Sequence, residues 1–143
     1  MYLLKTNISD VKLIEPKILN DNRGYFFESF RTDKIKALGI DSLFVQDNQS
    51  MSNRGTLRGL HYQLKNPQNK LVRVIYGEAY DVAVDIRKGS PTFGRHFGTI
   101  LSDKNHRMMF IPGGFAHGYA AISEKVIFQY KCSNYYNSKD EYG

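Results

Sequence analysis

The sequence predicts an all-β protein, an antiparallel sandwich or barrel, from three observations. Short segments rich in β-branched and aromatic residues recur along its 143 residues. Clusters of turn-forming residues separate these segments, and only one stretch has a helical pattern. Many short strands with almost no helix are typical of antiparallel sandwiches and barrels. Because a small barrel can hold one small ligand, we expect a binding site inside it.

Each predicted strand is a β-rich run bounded by turn signals such as Asp21–Gly24, Ser52–Gly55, Lys88–Pro91 and Pro112–Gly114. In chain order the strands are predicted at Val11–Leu19, Tyr25–Phe30, Ser42–Gln49, Leu57–Gln63, Leu71–Tyr76, Glu78–Ile86, His96–Leu101, His106–Ile111, His117–Ala121 and Val126–Tyr130. The one predicted helix covers Thr32–Leu38, with Thr32 as its N-cap.

Length and composition favour a single domain in a reducing compartment. With 143 residues and 41% hydrophobic content, the chain can bury one core. No apolar run approaches the roughly 20 residues of a membrane helix, and the N-terminus lacks a signal-peptide pattern. The single cysteine, Cys132, excludes an internal disulfide. We therefore expect a cytoplasmic protein that does not associate with membranes.

The charge balance favours an anionic small molecule as the ligand. Twenty Lys and Arg against fourteen Asp and Glu give a net charge of +6. The basic residues are scattered and form no run of five, which argues against nucleic acid. A phosphorylated small molecule is the better prediction.

The most informative residues lie on the strand pair Leu57–Gln63 and Lys70–Tyr76, which the turn Asn66–Asn69 connects. Strict alternation puts Arg58 on the face opposite His61. A histidine that can share a hollow with Lys and Arg side chains is kept as neutral imidazole, since neighbouring positive charge disfavours imidazolium. Neutral imidazole is the form that a proton-abstracting base requires.

Two further segments leave alternatives open. On the strand Ala79–Arg87, the residues Asp81 and Asp85 lie on the face opposite Tyr80 and its apolar neighbours. The simpler interpretation is a solvated polar face, and the alternative is that inward-facing acids orient a histidine. The glycine-rich corner before His117 delivers a second histidine, which is either structural or part of a shared pocket.

A metal site is not expected around His61. Zinc or iron requires three or four protein ligands, commonly a His-x-His pair with a carboxylate nearby. Here the residue two after His61 is Gln63, and the next charged groups are the cations Lys65 and Lys70. We therefore predict no metal at this site.

Four motifs together resemble the dTDP-4-dehydrorhamnose 3,5-epimerase family of the cupin superfamily: Arg58–Gln63, Asp81–Arg87, Gly89–Gly94 and Pro112–Gly118. The resemblance extends from about Ile14 to the last residue. It implies a cupin jelly roll, a homodimer that exchanges strands, and no cofactor. The implied substrate is dTDP-4-dehydro-6-deoxy-glucose, a dTDP-4-keto-6-deoxyhexose, epimerised at C3 and C5 on the way to dTDP-rhamnose and polysaccharide.

The resemblance also assigns roles to individual residues. His61 corresponds to the base, Lys70 to the cation that stabilises the enolate, and Tyr130 to the proton donor. Arg58 corresponds to a diphosphate contact, and Tyr136 is placed to stack on thymine. The remaining residues that the resemblance places in the nucleotide-sugar site are Arg23, Glu28, Gln46, Asp47, Asn48, His117 and Glu141.

The C-terminus departs from the family pattern. Family members continue for several tens of residues past the position of Gly143, and an acid in that segment pairs with the base histidine. We therefore expect residues 1–143 to form one cupin epimerase domain without that segment. Three explanations stay open: a shortened chain of an active family, an impaired protein, or a chain in which Asp81 or Asp85 orients His61.

Three functions are compatible with this sequence. The first is 3,5-epimerisation. The second is epimerisation at only C3 or only C5 of a related 4-ketosugar nucleotide. The third is a non-catalytic sugar-nucleotide binding module.

Overall fold

The computed structural model describes residues 1–143 as an antiparallel β structure with one short α-helix. The first four strands are β1 (Tyr2–Leu4), β2 (Lys12–Glu15), β3 (Leu19–Asp21) and β4 (Gly24–Phe26), and the helix α1 (Thr32–Ala37) follows them. The remaining strands are β5 (Gln46–Asn53), β6 (Leu57–Gln63), β7 (Lys70–Tyr76), β8 (Glu78–Asp85), β9 (His96–Ser102), β10 (Met108–Ile111), β11 (Phe115–Ala121), β12 (Lys125–Cys132) and β13 (Glu141–Tyr142). A 3-10 turn at Ser138–Asp140 precedes β13.

Two antiparallel sheets form the body of the molecule. The six-stranded sheet has the order β1-β2-β10-β7-β12-β5, and the five-stranded sheet has the order β13-β6-β11-β8-β9. The strands β3 and β4 form a separate hairpin. Strands that are neighbours in space are mostly distant in sequence, as in a jelly roll. The prediction of an all-β barrel with one short helix is confirmed.

The main core lies between the two sheets. On β7, Val72 and Val74 point into this core while Leu71 faces the other side of the sheet, as the period of two requires. Phe128 on β12 meets Tyr119 on β11, and the two rings stack with centroids 4.2 Å apart. The apolar residues therefore close one part of the barrel and leave the other part to polar side chains.

A second, smaller core lies on the outer face of the six-stranded sheet. The α1 residue Ile35 packs with Ile40 on Leu71, Met108 and Phe110. This packing fixes the segment between β4 and β5 against the sheet. The only α-helix has six residues, and no helix in the structure is long and apolar enough to cross a membrane.

Several element boundaries differ from the predictions: β4 ends at Phe26 instead of Phe30, and β5 begins at Gln46 instead of Ser42 and ends at Asn53. The predicted strand Val11–Leu19 is split, because Pro16 lies between β2 and β3 and has no N–H for a ladder. Thr32 is the first residue of α1, and the N-cap is Arg31, which makes no side-chain cap hydrogen bond. The terminal strands β1 and β13 are too short to show a periodic pattern, and the sequence did not predict them.

Candidate active site

A cavity of about 370 Å³ opens between the two sheets. Its walls combine cations, histidines, amides and aromatic rings, an arrangement suited to a polar and partly anionic ligand. The lining residues are Gln46, Asn48, Ser50, Arg58, His61, Gln68, Lys70, His117, Gly118, Tyr119, Phe128, Tyr130, Tyr136 and Glu141.

Arg58 and His61 both line this cavity, which corrects the prediction that they face opposite sides. The pairing of β6 with β11 explains the difference. Arg58 pairs with Tyr119 and His61 with His117, so two residues of β6 oppose the single residue Gly118. This β-bulge adds one residue and reverses the alternation. Both side chains therefore point inward.

The bulge depends on a glycine at position 59. Gly59 has a φ of +103°, and a Cβ there would lie 2.5 Å from the carbonyl oxygen of His117. A side chain would therefore clash with β11 and strain the backbone. Gly118 opposite is similarly tight, since a Cβ there would lie 2.6 Å from the carbonyl oxygen of Arg58. Two glycines let β6 and β11 approach closely where the two histidines enter the cavity.

Lys70 and Tyr130 come from the facing sheet and lie close together. The Lys70 ammonium is 5.9 Å from the centre of the Tyr130 ring. Burial lowers the pKa of Lys70 below its ordinary value, and burial raises the pKa of the Tyr130 phenol. The cavity therefore places an amine with a lowered pKa beside a phenol with a raised pKa.

His117 has a carboxylate partner inside the barrel. Its Nε2 lies 2.8 Å from Oδ1 of Asp81, a residue with no exposed surface. Of the two earlier interpretations of strand 79–87, the inward-facing acid is therefore correct for Asp81. The tyrosine on the opposite face, Tyr80, is the exposed one.

Asp85 has a different role from Asp81, although it is equally buried. It accepts hydrogen bonds from Arg87, Ser90 and Thr92 and thereby closes the loop after β8. Neither acid is hydrogen-bonded to His61: Asp81 is bonded to His117 through Oδ1, and Asp85 lies in this loop network. The suggestion that one of them orients His61 is therefore wrong.

The strand β5 contributes amides and a hydroxyl to the cavity. Gln46, Asn48 and Ser50 point inward, whereas Asp47 points outward and binds Lys131 at 2.9 Å. Alternation turns the Asp47 side chain away from the cavity, and its place in the nucleotide-sugar site stays a prediction. The same alternation could have identified Ser50, which the sequence analysis missed.

The segment after β12 forms the cavity rim. The hydroxyl of Tyr136 donates to Glu141 over 2.7 Å, and its backbone N–H donates to Gln46. The strand β13 pairs with Tyr62 and Gln63 of β6 and brings Gly143 next to His61. Besides Ser50, the structure adds Gln68, Tyr119 and Phe128 to the lining, for which the sequence carries no signal of its own.

Arg23 and Glu28 lie outside the cavity of their own chain. Arg23 is on the β3–β4 hairpin and pairs with Asp21 at 2.6 Å, and Glu28 pairs with Arg31 and Lys34. No three His, Cys, Asp or Glu side chains are grouped as a metal site. The absence of a metal remains a prediction.

The fold and the site together define a cupin-type jelly roll with a polar ligand cavity in its interior. The chain belongs to the dTDP-4-dehydrorhamnose 3,5-epimerase family, a family of isomerases, and the family pattern matches residues 5–143.

Individual relatives agree with this assignment. The chain is 51% identical to the dTDP-4-dehydrorhamnose 3,5-epimerase of Methanothermobacter thermautotrophicus, over 98% of this chain and 76% of that protein. It is 52% identical to a dTDP-6-deoxy-D-glucose-3,5-epimerase from Legionella pneumophila solved with dTDP-4-keto-L-rhamnose. The TM-score is 0.97, and the match covers 99% of this chain and 76% of that one.

A more distant structural neighbour has a narrower activity. It is a 3'-monoepimerase from Streptomyces bikiniensis, solved with dTDP-quinovose. It is 31% identical, with a TM-score of 0.89, and the match covers all of this chain and 72% of that one.

Proposed function

We propose that this chain epimerises dTDP-4-dehydro-6-deoxy-glucose at C3 and C5 through an enolate, in the formation of dTDP-rhamnose for cell-surface polysaccharide. The observation that carries the proposal is the convergence of His61, Lys70 and Tyr130 on one cavity. These side chains are a candidate base, a cation and a proton donor.

The chemistry of the substrate explains why three groups are needed. C3 and C5 flank the C4 ketone, which acidifies the proton on each carbon. Inversion requires a base on one face of the ring, an acid on the other, and a positive charge near the enolate oxygen. His61 enters from the five-stranded sheet, whereas Tyr130 and Lys70 enter from the six-stranded sheet. The base and the acid are thus on opposite walls, as inversion demands.

His117 lines the same wall as His61, and we assign it to the sugar site. Asp81 fixes its ring, and the two histidines are direct partners across β6 and β11. A carboxylate that bonds one ring nitrogen sets the tautomer and orientation of the imidazole. His117 can therefore hold a sugar oxygen in a fixed position.

The nucleotide part of the substrate is assigned to the cavity mouth. Arg58 has no carboxylate partner, so its guanidinium is free to bind the diphosphate. Tyr136 is 51% exposed and is available to stack on the thymine base. Gln46, Asn48 and Glu141 complete this end of the site with polar groups.

We further propose that the working form is a cytoplasmic homodimer. Arg23 and Glu28 lie outside their own cavity, on a segment that starts with an exposed hairpin. In the dimer they would serve the partner's site. Light scattering at micromolar concentration tests this, and a monomer that turns over substrate at the full rate would contradict it.

Epimerisation at one carbon alone is the second candidate, which the 3'-monoepimerase neighbour favours. The difference concerns how many proton transfers are completed, and the same cavity could support either outcome. A non-catalytic binding module is the third candidate.

One experiment separates the three. The protein is incubated with dTDP-4-dehydro-6-deoxy-glucose in D₂O, and mass spectrometry of the recovered sugar nucleotide measures the number of deuterons incorporated. Incorporation at both C3 and C5 supports the proposal, incorporation at one carbon supports the monoepimerase, and no incorporation supports the binding module. A matched incubation without protein measures spontaneous exchange.

A further inference from the structure

A chain of hydroxyl groups runs behind the cavity wall from Arg58 to Ser50. Nε of Arg58 lies 2.9 Å from the hydroxyl of Ser52, which lies 2.9 Å from the hydroxyl of Tyr119. The Tyr119 hydroxyl lies 3.0 Å from that of Ser50. Four residues from three strands thus share one continuous hydrogen-bond path.

The direction of every bond in this path follows from the arginine. A guanidinium can only donate, so Ser52 accepts from Arg58. Ser52 is 3% exposed and has only Arg58 and Tyr119 as side-chain partners, so its own proton goes to Tyr119. Leaving a buried hydroxyl proton unpaired would be costly.

The same reasoning continues to the end of the chain. Tyr119 accepts from Ser52, and its proton therefore goes to Ser50, its other partner. Ser50 accepts that proton, so its own hydrogen has no partner in the protein. Because Ser50 lines the cavity, this hydrogen is available to a ligand there.

Packing holds the middle of the path in place. Tyr119 is only 6% exposed, and its ring stacks on Phe128 with an interplanar angle of 8°. A fixed ring leaves its hydroxyl no alternative position. The positive charge of Arg58 polarises the path, and successive hydrogen bonds strengthen one another.

We propose that Ser50 is a ligand-binding residue that donates a hydrogen bond to a phosphate oxygen of the nucleoside diphosphate, and that Tyr119 and Ser52 position it. The inference rests on the proposed function, because it takes a dTDP-sugar as the ligand. An anionic oxygen is the acceptor best matched to a donor polarised by a cation. Arg58 at the other end of the path still has three of its five N–H donors without a protein partner. A diphosphate in the cavity would therefore meet free donors from both ends of the path.

The test is calorimetric binding of dTDP and of thymidine to the parent protein and to Ser50→Ala. We expect about a tenfold loss of dTDP affinity in Ser50→Ala, the usual scale for one hydrogen bond to a charged group. Thymidine affinity should stay unchanged, because it does not depend on the phosphate contact, whereas the melting temperature should fall slightly, because the buried Tyr119 hydroxyl loses its acceptor. Ser50→Thr keeps the hydroxyl and should retain the dTDP affinity.

Tyr119→Phe tests the path itself. It should lower dTDP affinity by a similar factor, and the double variant Ser50→Ala/Tyr119→Phe should be no weaker than Ser50→Ala alone. Tyr80→Phe is the matched control, since Tyr80 is 40% exposed on the opposite face of the sheet and should bind dTDP like the parent.

Two results would overturn the inference. One is unchanged dTDP affinity in Ser50→Ala while the parent binds dTDP, which leaves the proposed function intact. The other is an equal loss of dTDP and thymidine affinity, which would make Ser50 merely structural. A parent protein that fails to bind dTDP would instead overturn the proposed function and this inference with it.

Discussion

Nε2 of His117 lies 2.8 Å from Oδ1 of Asp81, and this bond joins the cavity wall to a carboxylate that has no contact with water. The second oxygen of Asp81 has no hydrogen-bond partner. A buried carboxylate with a single partner is costly to maintain. We infer that the pair orients His117 for the ligand.

Replacing Asp81 by Asn tests that role. The amide has the same shape but cannot hold the imidazole in the same tautomer, so we expect kcat to fall by about ten- to a hundredfold. The Kd for dTDP should change little, because the nucleotide binds at the mouth. Steady-state kinetics and calorimetry measure the two quantities. Unchanged kcat would show that His117 needs no carboxylate.

Asp85 is the matched residue on the same strand and should affect stability rather than catalysis. Asp85→Asn removes the charge that holds Arg87, Ser90 and Thr92, at a cost of about 3 kcal/mol in the free energy of unfolding. Urea unfolding at pH 7 measures this loss. A variant that keeps full stability would contradict the structural role.

The pH dependence of the parent adds a second check on Asp85. Hydrogen bonds from Arg87 hold the pKa of Asp85 well below its ordinary value. A carboxyl group with a depressed pKa stabilises the fold at pH values above its unfolded-state pKa of about 3.9. This stabilisation is lost as the pH falls below about 3.9 and through the lower pKa of the folded state. The free energy of unfolding of the parent should fall on acidification, and that of Asp85→Asn should fall by a smaller amount.

Several of these relationships could be predicted from the sequence, and others could not. Alternation and turn residues located β6, β7 and β8 to within a residue or two. The bulge at Gly59 depends on pairing with β11, which a single strand does not encode. Alternation also separates Asp81 from Tyr80 without saying which face is buried. In this barrel the polar face is the interior one.

The placement of Arg23 and Glu28 shows a second limit. The family resemblance assigned them to the ligand site, yet in one chain both are outside the cavity and bound to neighbours in sequence. The ion pairs that Arg23 and Glu28 make within one chain do not show which contacts they make with a second copy of the chain. Asp47 is a simpler case, because counting residues along β5 turns its side chain outward.

The alkaline limit of activity should be set by Lys70. Burial lowers the Lys70 pKa, so rising pH removes the proton of this ammonium earlier than that of an ordinary lysine. We expect kcat/KM to fall at a pH below the ordinary lysine value of about 10.4. In Lys70→Arg that fall should move to higher pH, because a guanidinium stays charged.

A control identifies the titrating group. Lys65→Arg changes an exposed lysine outside the cavity and should keep the parent's pH profile. If Lys70→Arg also keeps it, a group other than Lys70 sets the alkaline limit.

Tyr130→Phe should separate proton removal from product formation. The change removes the phenol hydroxyl with little change in shape, so the proposed donor is lost while the aromatic packing stays. Deuterium exchange from D₂O should persist at one carbon, while inverted product falls by about a hundredfold. Nuclear magnetic resonance of the product follows both. An equal loss of exchange and product would mean that Tyr130 positions the substrate instead.

The most direct test of the account is deuterium exchange by His61→Ala, since every step begins with proton abstraction by this side chain. We predict that exchange at C3 and at C5 both fall by about a hundredfold or more, while dTDP still binds. His96→Ala removes an exposed histidine of β9 that lies outside the cavity and should exchange like the parent. Exchange in His61→Ala that stays within about tenfold of the parent would contradict the assignment of His61 as the base.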